Sequence, residues 1–204
     1  MREQPVGAGA SEPVLLIEGE LVALGPLLRA HIELYLRWMN NLETTATLGR
    51  ADVFPRESEE RFYEAATAED QTAFTIYEKA TLRPIGTTQL KNVSYRNGTA
   101  EFGILIGEPD CRDRGYGTEA TRLVLDFAFH VLGLHNVELR VFSHNPRGRR
   151  AYEKAGFKTI GVRREAYKLG QRRYGVILMD ALASDFESPL LERALTAPQQ
   201  PPIR

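Results

Sequence analysis

The chain shows two periods of hydrophobic residues, and each period predicts a different kind of secondary structure. Apolar residues recur at helical spacing in the segment RAHIELYLRWMNN, at Ile32, Tyr35, Leu36 and Met39. The segment PRESEERFYEAAT is amphipathic in the same way, with Ser58 as its predicted N-cap. A longer helical pattern runs through TEATRLVLDFAFHVLGL and ends at Gly133. The segment NPRGRRAYEKAGF predicts a short helix capped by Asn145 and ended by Gly156.

Alternation of apolar and polar residues predicts the strands. One strand is expected in GELVALGP, and three more between Thr72 and Glu108, where an Asn-Gly pair predicts a hairpin turn. The segment VELRVFS predicts a further strand, and KTIGVRREAYKLGQRRYGVILMDAL predicts a hairpin that turns near Leu169 and Gly170. The order strand, helix, strand over residues 99–143 requires a right-handed crossover to a parallel neighbour. The pattern as a whole predicts a mixed α/β fold.

Composition and charge narrow the function classes. The chain has 204 residues, 43% of them hydrophobic and 26% charged, which is typical of a globular protein with one sizeable core. We expect one domain over residues 14–186, between mobile polar tails at 1–13 and 187–204. The net charge of −1 does not indicate a nucleic-acid or membrane partner, so any anion binding must be local.

The compartment is predicted from what the sequence lacks. No stretch reaches the roughly 18 apolar residues that span a bilayer, and the N-terminal segment has no apolar signal-peptide core. The one cysteine, Cys111, has no partner for an intramolecular disulfide, which is consistent with a reducing cytoplasm. The four histidines are scattered without a cysteine or histidine cluster, so no metal is predicted.

A local cluster of cations and glycines lies in CRDRGYGTEATR, where a predicted strand leads through a loop into a helix. Gly115 and Gly117 allow the backbone to approach a ligand and to direct successive N–H groups at it. The helix N-terminus near Thr118 adds about half a positive charge, and Arg112 and Arg114 add full charges. This arrangement suits a pyrophosphate, although a glycine turn with solvated arginines would give the same local pattern. It is neither a P-loop nor a Gly-x-Gly-x-x-Gly motif.

This loop, the later segment AYEKAGF and the closing REAYKLGQRRYGVILMDAL together resemble the GNAT N-acetyltransferase superfamily, and within it the RimJ/RimL-type branch. The resemblance covers about residues 21–182. It implies a single mixed, mostly antiparallel sheet with helices on both faces and a central parallel pair splayed to hold acetyl-CoA. It also implies transfer of the acetyl group to a primary amine by direct attack in a ternary complex. Many relatives pair as dimers, so the resemblance implies a homodimer.

The resemblance implies roles for residues along the cofactor. The loop would hold the pyrophosphate through its backbone amides, over the residues Arg112, Asp113, Arg114, Gly115, Tyr116, Gly117 and Thr118. The pantetheine arm would pair with the strand at Ile104, Leu105 and Ile106. A main-chain N–H near Leu105 or Ile106 would be the oxyanion donor, and Gly103 would ease a bulge in that strand.

Further roles are implied for the short helix. Asn145 would touch the cofactor arm, and Tyr152 would protonate the leaving thiolate. The basic run Arg147, Arg149 and Arg150 would either reach the 3′-phosphate of the cofactor or form a solvated face. Gly148 stands where relatives commonly have alanine, which weakens the helix by up to about 1 kcal/mol.

The acceptor amine must be neutral to attack. Because a lysine-like amine has a pKa near 10.4 and an α-amino group a pKa near 7.7–8.0, a carboxylate or a water chain must take a proton from it. Glu101 is the first candidate base, because it lies one strand-length before the predicted oxyanion donor; the alternative is a carboxylate with no catalytic role. Glu33 and Glu43 are candidates for binding a cationic amine. Trp38 is a candidate wall of the acceptor site, or a core residue.

Two questions stay open at the level of sequence. A protein N-terminus would need an open groove, whereas a polyamine would need several carboxylates in a closed one, and the residues do not decide between them. A GNAT fold that binds CoA as a sensor or scaffold without catalysis is the alternative to an enzyme. A phosphate-binding regulatory domain that does not bind CoA is a remoter reading. Because no nucleophile–base–acid triad is visible, direct transfer is favoured over an acyl-enzyme.

Overall fold

The computed structural model describes residues 12–49, 52–68, 72–191 and 195. Within these ranges one sheet contains the strands β1 (Ile17–Glu18), β2 (Val22–Pro26), β3 (Thr72–Glu78), β4 (Arg83–Ser94), β5 (Thr99–Ile106), β6 (Asn136–Phe142), β7 (Lys158–Leu169) and β8 (Arg172–Leu182). The α-helices are α1 (Ile32–Met39), α2 (Leu42–Thr45), α3 (Arg56–Ala66), α4 (Tyr116–Asp126) and α5 (Pro146–Ala155). Short 3₁₀ turns follow at Arg29–His31, Ala46–Leu48, Pro109–Cys111 and Ala183–Asp185, and a π-helical turn at Phe127–Val131.

The strands are ordered β1-β2-β3-β4-β5-β6-β8-β7. Every neighbouring pair is antiparallel except β5 and β6, which are parallel and joined by α4. The sheet is open rather than closed into a barrel. This topology confirms the predicted mixed, mostly antiparallel sheet with a central parallel pair.

The helices cover both faces of the sheet, as the alternation along β5 requires. Phe102 and Ile104 belong to the larger core, which α4 contributes to through Leu123 and Val124. Leu105 packs into a smaller cluster on the opposite face, formed with α1 and α3 and centred on the buried side chains Leu27, Tyr35, Trp38 and Ala66. The site described below therefore lies where β5 presents side chains to both cores.

Glu119 fixes helix α4 against the edge of the sheet. Its carboxylate accepts main-chain N–H groups from Glu20 at 2.9 Å, Leu21 at 2.7 Å and Val22 at 2.7 Å. Hydrogen bonds from neutral donors to a carboxylate are stronger than hydrogen bonds between two neutral groups. The first turn of α4, which faces the site, is thereby held in place from residues nearly one hundred positions earlier in the chain.

Asp126, at the other end of α4, binds the segment that follows β8. Its fully buried carboxylate accepts hydrogen bonds from the Ser188 hydroxyl at 2.6 Å, from the Leu190 N–H at 3.1 Å and from the Leu191 N–H at 2.9 Å. The start of the predicted C-terminal tail is thus docked on the domain. Residues 192–194 and 196–204 of that tail, like residues 1–11, lie outside the described residues.

Three local predictions need correction. Helix α3 begins after Pro55, whose fixed φ suits a helix start, so Ser58 lies inside the helix and is not its cap. Helix α4 begins at Tyr116, two residues before Thr118. The β4–β5 register is continuous across Gly103, and the irregularity falls on β4 between Lys91 and Ser94, so the expected bulge in β5 is absent from the described pairing.

Candidate functional site

The parallel strands β5 and β6 pair over only three residues each, Thr99–Glu101 with Asn136–Glu138, and separate beyond them. A cavity of about 240 Å³ opens beside β5, α4 and α5, and we call it the splayed cleft. Eleven of the predicted cofactor residues line it: Ile104, Leu105, Ile106, Arg112, Asp113, Gly115, Gly117, Thr118, Asn145, Arg147 and Tyr152. The structure therefore brings together two predicted motifs, the loop before α4 and the start of α5, which are some 30 positions apart in the chain.

The loop before α4 is shaped by backbone in the left-handed region. Asp113 has φ +59° and Gly115 has φ +86°, so Gly115 is needed for the turn itself. Gly117 is different, because it lies in the first turn of α4 and a Cβ there would sit 3.7 Å from Ile106 in ordinary contact. Among the described residues, none excludes a Cβ at Gly117. The absence of a side chain at this position keeps the cleft open beside the N-terminus of α4, and helix N-termini attract anions.

Positive charge is concentrated along the splayed cleft. Among the described residues that line it, four carry a positive charge and one carries a negative charge: Arg112, Arg147, Arg150, Lys154 and Asp113. Arg112 is held in place by a hydrogen bond to the Thr44 hydroxyl at 2.6 Å, and its side chain is only 13% exposed. Arg147 lies 3.5 Å from the Asp113 carboxylate. The local excess of cations, on a chain of net charge −1, suits a ligand with several phosphate charges.

Three of the predicted cofactor residues have side chains outside the splayed cleft. Arg149 pairs with Glu153 at 2.8 Å, whereas Arg147, Arg150 and Lys154 share one helix face at spacings of three and four. Helical geometry therefore turns Arg149 away from the cleft, whereas the other two members of the predicted basic run, Arg147 and Arg150, line it.

Arg114 and Tyr116 are turned toward Glu78 on β3. The Tyr116 hydroxyl donates to that carboxylate at 2.6 Å, and Arg114 lies 3.5 Å from it, with its guanidinium over the Tyr116 ring. The hydrogen bond from Tyr116, followed by one from Thr81, lowers the pKa of Glu78. Both side chains thus brace the loop against the sheet and do not face the cleft, so the charge of Arg114 is directed away from it; the predicted role of their backbone N–H groups stays a prediction.

Asn145 and Tyr152 lie on α5 and line the cleft. The Asn145 side chain caps the helix by accepting the Gly148 N–H at 2.9 Å. A Cβ on Gly148 would come within 2.6 Å of the Asn145 amide nitrogen, which accounts for glycine at this position. Tyr152 packs edge-on against Phe102, and burial raises its pKa to about 12. The phenol therefore keeps its proton at neutral pH, so in a proton transfer it can act as an acid and not as a base.

The strand register decides which β5 amides face the cleft. The Gly107 N–H donates to Ile85 O at 2.9 Å, and Gly86 pairs with Ile106. Because hydrogen-bonded and non-hydrogen-bonded pairs alternate in an antiparallel ladder, the N–H of Leu105 points at β4 and those of Ile104 and Ile106 point at the gap. Of the two predicted oxyanion donors, the N–H of Leu105 is therefore directed into the sheet, whereas the N–H of Ile106 faces the gap.

A second cavity, of about 380 Å³, lies on the opposite face of β5. We call it the aromatic cavity, since its wall includes Tyr35, Trp38, Phe54 and Phe62. It shares Leu48, Ile104 and Leu105 with the splayed cleft, so the two cavities meet across β5. A ligand extending along β5 in the cleft would place its end next to a ligand in the aromatic cavity.

The structure brings one of the three predicted acceptor residues to this cavity. Trp38 lines it, but Glu33 is ion-paired with Arg56, and Glu43 is 83% exposed, so neither carboxylate contributes to the wall. Glu59 does line it, although the sequence analysis did not single it out, and it is only 4% exposed. The signal was present, because Glu59 stands at helical spacing from the inward-facing Phe62, Tyr63 and Ala66.

Glu101, the predicted base, lines neither cavity. Its carboxylate lies 2.7 Å from Arg140 and 3.1 Å from Lys91. Burial raises the pKa of Glu101, but hydrogen bonds from Arg140 and Lys91 outweigh that and leave it below the usual value. A carboxylate held ionised by two cations and away from the cavities is a poor proton acceptor, so the structure does not support Glu101 as the base.

Two further kinds of site are absent from the described residues. No helix among them is both long and apolar enough to cross a membrane. In the same part of the chain, no three His, Cys, Asp or Glu side chains are grouped so that they could hold a metal ion. Cys111 is buried and accepts a hydrogen bond from Arg83 at 2.9 Å, and burial raises the pKa of its thiol.

The chain belongs to the GNAT acetyltransferase domain family, whose family model matches residues 22–158. It is 31% identical over 111 residues to a spermidine N(1)-acetyltransferase of Vibrio cholerae, which covers 54% of this chain and 64% of that protein. It is 34% identical over 110 residues to a probable N-acetyltransferase, YjcK, of Bacillus subtilis, over 53% of this chain and 60% of that protein. The chain thus matches less than two thirds of the length of these curated relatives.

A solved structure shows the same fold. The crystal structure of the Vibrio cholerae spermidine N-acetyltransferase in complex with CoA and spermine superposes with a TM-score of 0.74 at 24% identity, over 81% of this chain and 97% of that one. The family match and this superposition confirm the GNAT fold that the two motifs implied.

Proposed function

We propose that this protein is an acetyl-CoA-dependent N-acetyltransferase that acts on a primary amine by direct attack in a ternary complex. The observation that carries the proposal is the meeting of two unlike cavities at Leu105, one lined by cations and one by aromatic rings. A phosphate-bearing cosubstrate and an amine could each enter from its own side of β5. The family match supports the reaction class.

The residues of the splayed cleft fit acetyl-CoA, which supplies an activated acyl thioester. The cations of the cleft and the N-terminus of α4 would bind the phosphates, and the room at Gly117 would admit the pyrophosphate. The outward amides of Ile104 and Ile106 offer donors to the extended arm, because β6 has left that edge unpaired. Asn145 lies beside the same path.

The residues near the acyl group have separate tasks. The Ile106 N–H would donate to the thioester carbonyl oxygen, where negative charge develops. The neutral amine forms a C–N bond as the C–S bond breaks, and the amine loses one proton while the departing sulfur gains one. Tyr152, which stays protonated because of its raised pKa, would donate to that sulfur.

A thiol-release assay with acetyl-CoA tests this proposal. The amine panel would hold peptides with free N-termini, polyamines, aminoglycosides and simple alkylamines, with mass spectrometry of the products. We expect a product heavier by one acetyl group. If no amine is acetylated but acetyl-CoA still raises the melting temperature, the non-catalytic CoA-binding module replaces the enzyme. If acetyl-CoA does not shift the melting temperature either, the cosubstrate assignment is wrong.

We also propose a branch of the superfamily, an oligomeric state and a location for this protein. The order of the two motifs and the closing hairpin supports the RimJ/RimL-type branch. The resemblance to that branch supports a homodimer, which light scattering at several protein concentrations would test. The free, buried Cys111 supports a cytoplasmic location, which fractionation of cells expressing the tagged full chain would test.

A further inference from the structure

The outer part of the β7–β8 hairpin projects beyond the strand that it packs beside. The last pair between β6 and β8 joins Phe142 to Val176, whereas the pairing of β7 with β8 continues to the turn. Residues 163–173, which we call the hairpin tip, therefore extend past the end of β6, and a register shift within them bends β7. Asn145, which follows β6 at this end, lines the splayed cleft, so the tip and the candidate site share one end of the sheet.

Aromatic packing connects the hairpin tip to the wall that the two cavities share. Tyr167 and Tyr174 form a cross-strand pair, and their ring centroids lie 5.7 and 4.6 Å from that of His144. The His144 ring N–H donates to Ala46 O at 3.0 Å. Ala46 begins the 3₁₀ turn whose Leu48 lines both cavities. The tip is thus one layer of packed side chains away from the place where a cosubstrate and an amine would meet.

The hairpin tip carries a strong local excess of positive charge. Five of its residues are cations and one is an anion, which gives a formal charge of +4 on a chain whose net charge is −1. All six are exposed, and they are Arg163, Arg164, Glu165, Lys168, Arg172 and Arg173. Within the part of the chain that the structure describes, none of the five cations forms an ion pair. Arg173 donates instead to the main-chain oxygen of Glu165 at 3.5 Å.

A concentration of unpaired cations attracts polyanions and repels further cations. Two features favour an acidic polypeptide over a nucleic acid as the partner. The described sheet ends at β7, so the outer edge of this strand offers main-chain groups with which an extended peptide can pair. The proposed reaction also needs a nucleophilic primary amine, which a polypeptide carries at its N-terminus. The amino groups of nucleobases are conjugated with the ring and are weak nucleophiles.

We propose that the acceptor is the free N-terminus of a polypeptide with acidic residues shortly after its first residue, and that the hairpin tip binds those acidic residues. The inference rests on the proposed function, because it takes the amine to react where the two cavities meet. The reacting amine enters the site in its neutral form, while the carboxylates stay outside on the cations of the tip. A polyamine carries further positive charge, which the tip repels.

Matched peptides test the effect of charge alone. Both members of a pair share their first two residues and a C-terminal fluorophore; four Asp and Glu residues follow in one member, and four Asn and Gln residues in the other. Three pairs begin with alanine, serine or methionine. At about 50 mM salt we expect kcat/KM to favour the acidic member at least about tenfold, and at about 300 mM salt less than about threefold. Equal rates within every pair, or faster acetylation of spermidine than of every acidic peptide, would overturn the inference.

Binding separates this inference from the proposed function. Fluorescence anisotropy with the CoA-saturated full chain should give the acidic peptide a Kd at least about tenfold below that of the amide peptide. If neither peptide is acetylated but this preference is found, the enzymatic proposal fails and the binding surface stands. If the two peptides bind equally, the surface is wrong whatever the turnover. A single-stranded RNA pentamer carries the same four negative charges, and tighter binding of that RNA than of the acidic peptide would also overturn the inference.

Charge reversal locates the effect on the hairpin tip. Arg172→Glu should lower the preference for the acidic peptide at least about fivefold, with KM for acetyl-CoA within about twofold, because Arg172 does not line the splayed cleft. Arg96→Glu is the matched control. It makes the same change of charge at an exposed position in the β4–β5 turn, at the opposite end of β5, and should leave the preference within about twofold.

Charge beside an edge strand also discourages pairing between chains. A role limited to that effect would leave the peptide preference of Arg172→Glu at the parental value, although the variant might differ in solubility from the parent protein. A parental preference in folded, CoA-binding Arg172→Glu would therefore contradict the inference.

Discussion

The splayed cleft and the aromatic cavity meet at Leu105, yet they are built in different ways. The cleft takes most of its chemistry from two short segments, the loop before α4 and the start of α5. The wall of the aromatic cavity comes from α1, the turn after α2, α3, the start of β3, the middle of β4 and the second half of β5. One cavity is a pair of local motifs brought together, and the other is assembled by tertiary packing.

This difference matters for how each cavity responds to substitution. A local motif depends on backbone direction and charge, so a single change at its centre removes the whole binding function. A cavity assembled from many elements has a wall of interchangeable apolar side chains, and single changes there adjust selectivity more than they abolish binding.

Gly117→Glu should have the largest effect. The new carboxylate would enter the cleft where phosphate is expected, and we expect acetyl-CoA affinity to fall at least about 100-fold through bulk and like charge. Stability should not fall, because a glutamate in the first turn of a helix interacts favourably with its dipole and Ile106 leaves room for the Cβ. Calorimetric titration and a melting curve measure the two effects.

Gly117→Ala is the matched control, since it adds only the Cβ that the structure accommodates. Its acetyl-CoA affinity should stay within about fivefold of the parent protein. If Gly117→Glu binds acetyl-CoA as the parent does, the phosphates lie elsewhere and the cleft has been assigned to the wrong part of the ligand.

Tyr152→Phe should have the next largest effect, on turnover and not on binding. The change removes a proton donor and almost no surface, so kcat should fall about 100-fold while KM for acetyl-CoA stays within about threefold. Since the pKa of Tyr152 is about 12, the parent enzyme should show no alkaline loss of activity from this group below about pH 11. Full pH–rate profiles of both proteins check this.

Tyr95→Phe makes the same chemical change at an exposed position on the β4–β5 turn, and serves as the control. Its kcat should match that of the parent. A Tyr152→Phe protein with parental kcat would remove the phenol from the reaction and leave protonation of the sulfur to solvent.

The contrast also explains what the sequence could predict. Gly115, Gly117, Asn145 and Tyr152 stand in short motifs with fixed spacing, and local backbone geometry places them with little help from the rest of the fold. Thr44 and Leu48 reach the site only because the 3₁₀ turn after α2 packs against the end of β6, where the Gly49 backbone meets Phe142. No local pattern marks such a contact.

The residues that needed correction fail for a related reason. Alternation correctly placed Glu101 and Leu105 on one face of β5, but it does not reveal which partners that face offers. Arg140 lies 39 positions after Glu101 and reaches it across two parallel strands. The direction of the Leu105 N–H depends on the register with β4, which single-strand periodicity leaves undetermined.

Glu101→Gln should have the smallest effect on activity, and it tests the correction directly. Because the carboxylate lies outside both cavities, kcat should change less than about threefold. Unfolding should become easier by about 1 kcal/mol at pH 7, a modest value because Arg140 and Lys91 are partly exposed.

The pH dependence gives Glu101→Gln a second readout. The pKa of Glu101 is lowered in the folded protein, so its stabilisation is present above the ordinary carboxyl value near 4.3 and is lost as the pH falls through the folded value. The stability difference between parent and variant should therefore be full at pH 7 and should decrease as the pH falls below the ordinary carboxyl value. Denaturant unfolding at pH 7, 5 and 3.5 measures it. A large loss of kcat at pH 7 with unchanged stability would instead give Glu101 a role in the reaction. The assignment of the cosubstrate to one face of β5 and of the amine to the other would then have to be revised.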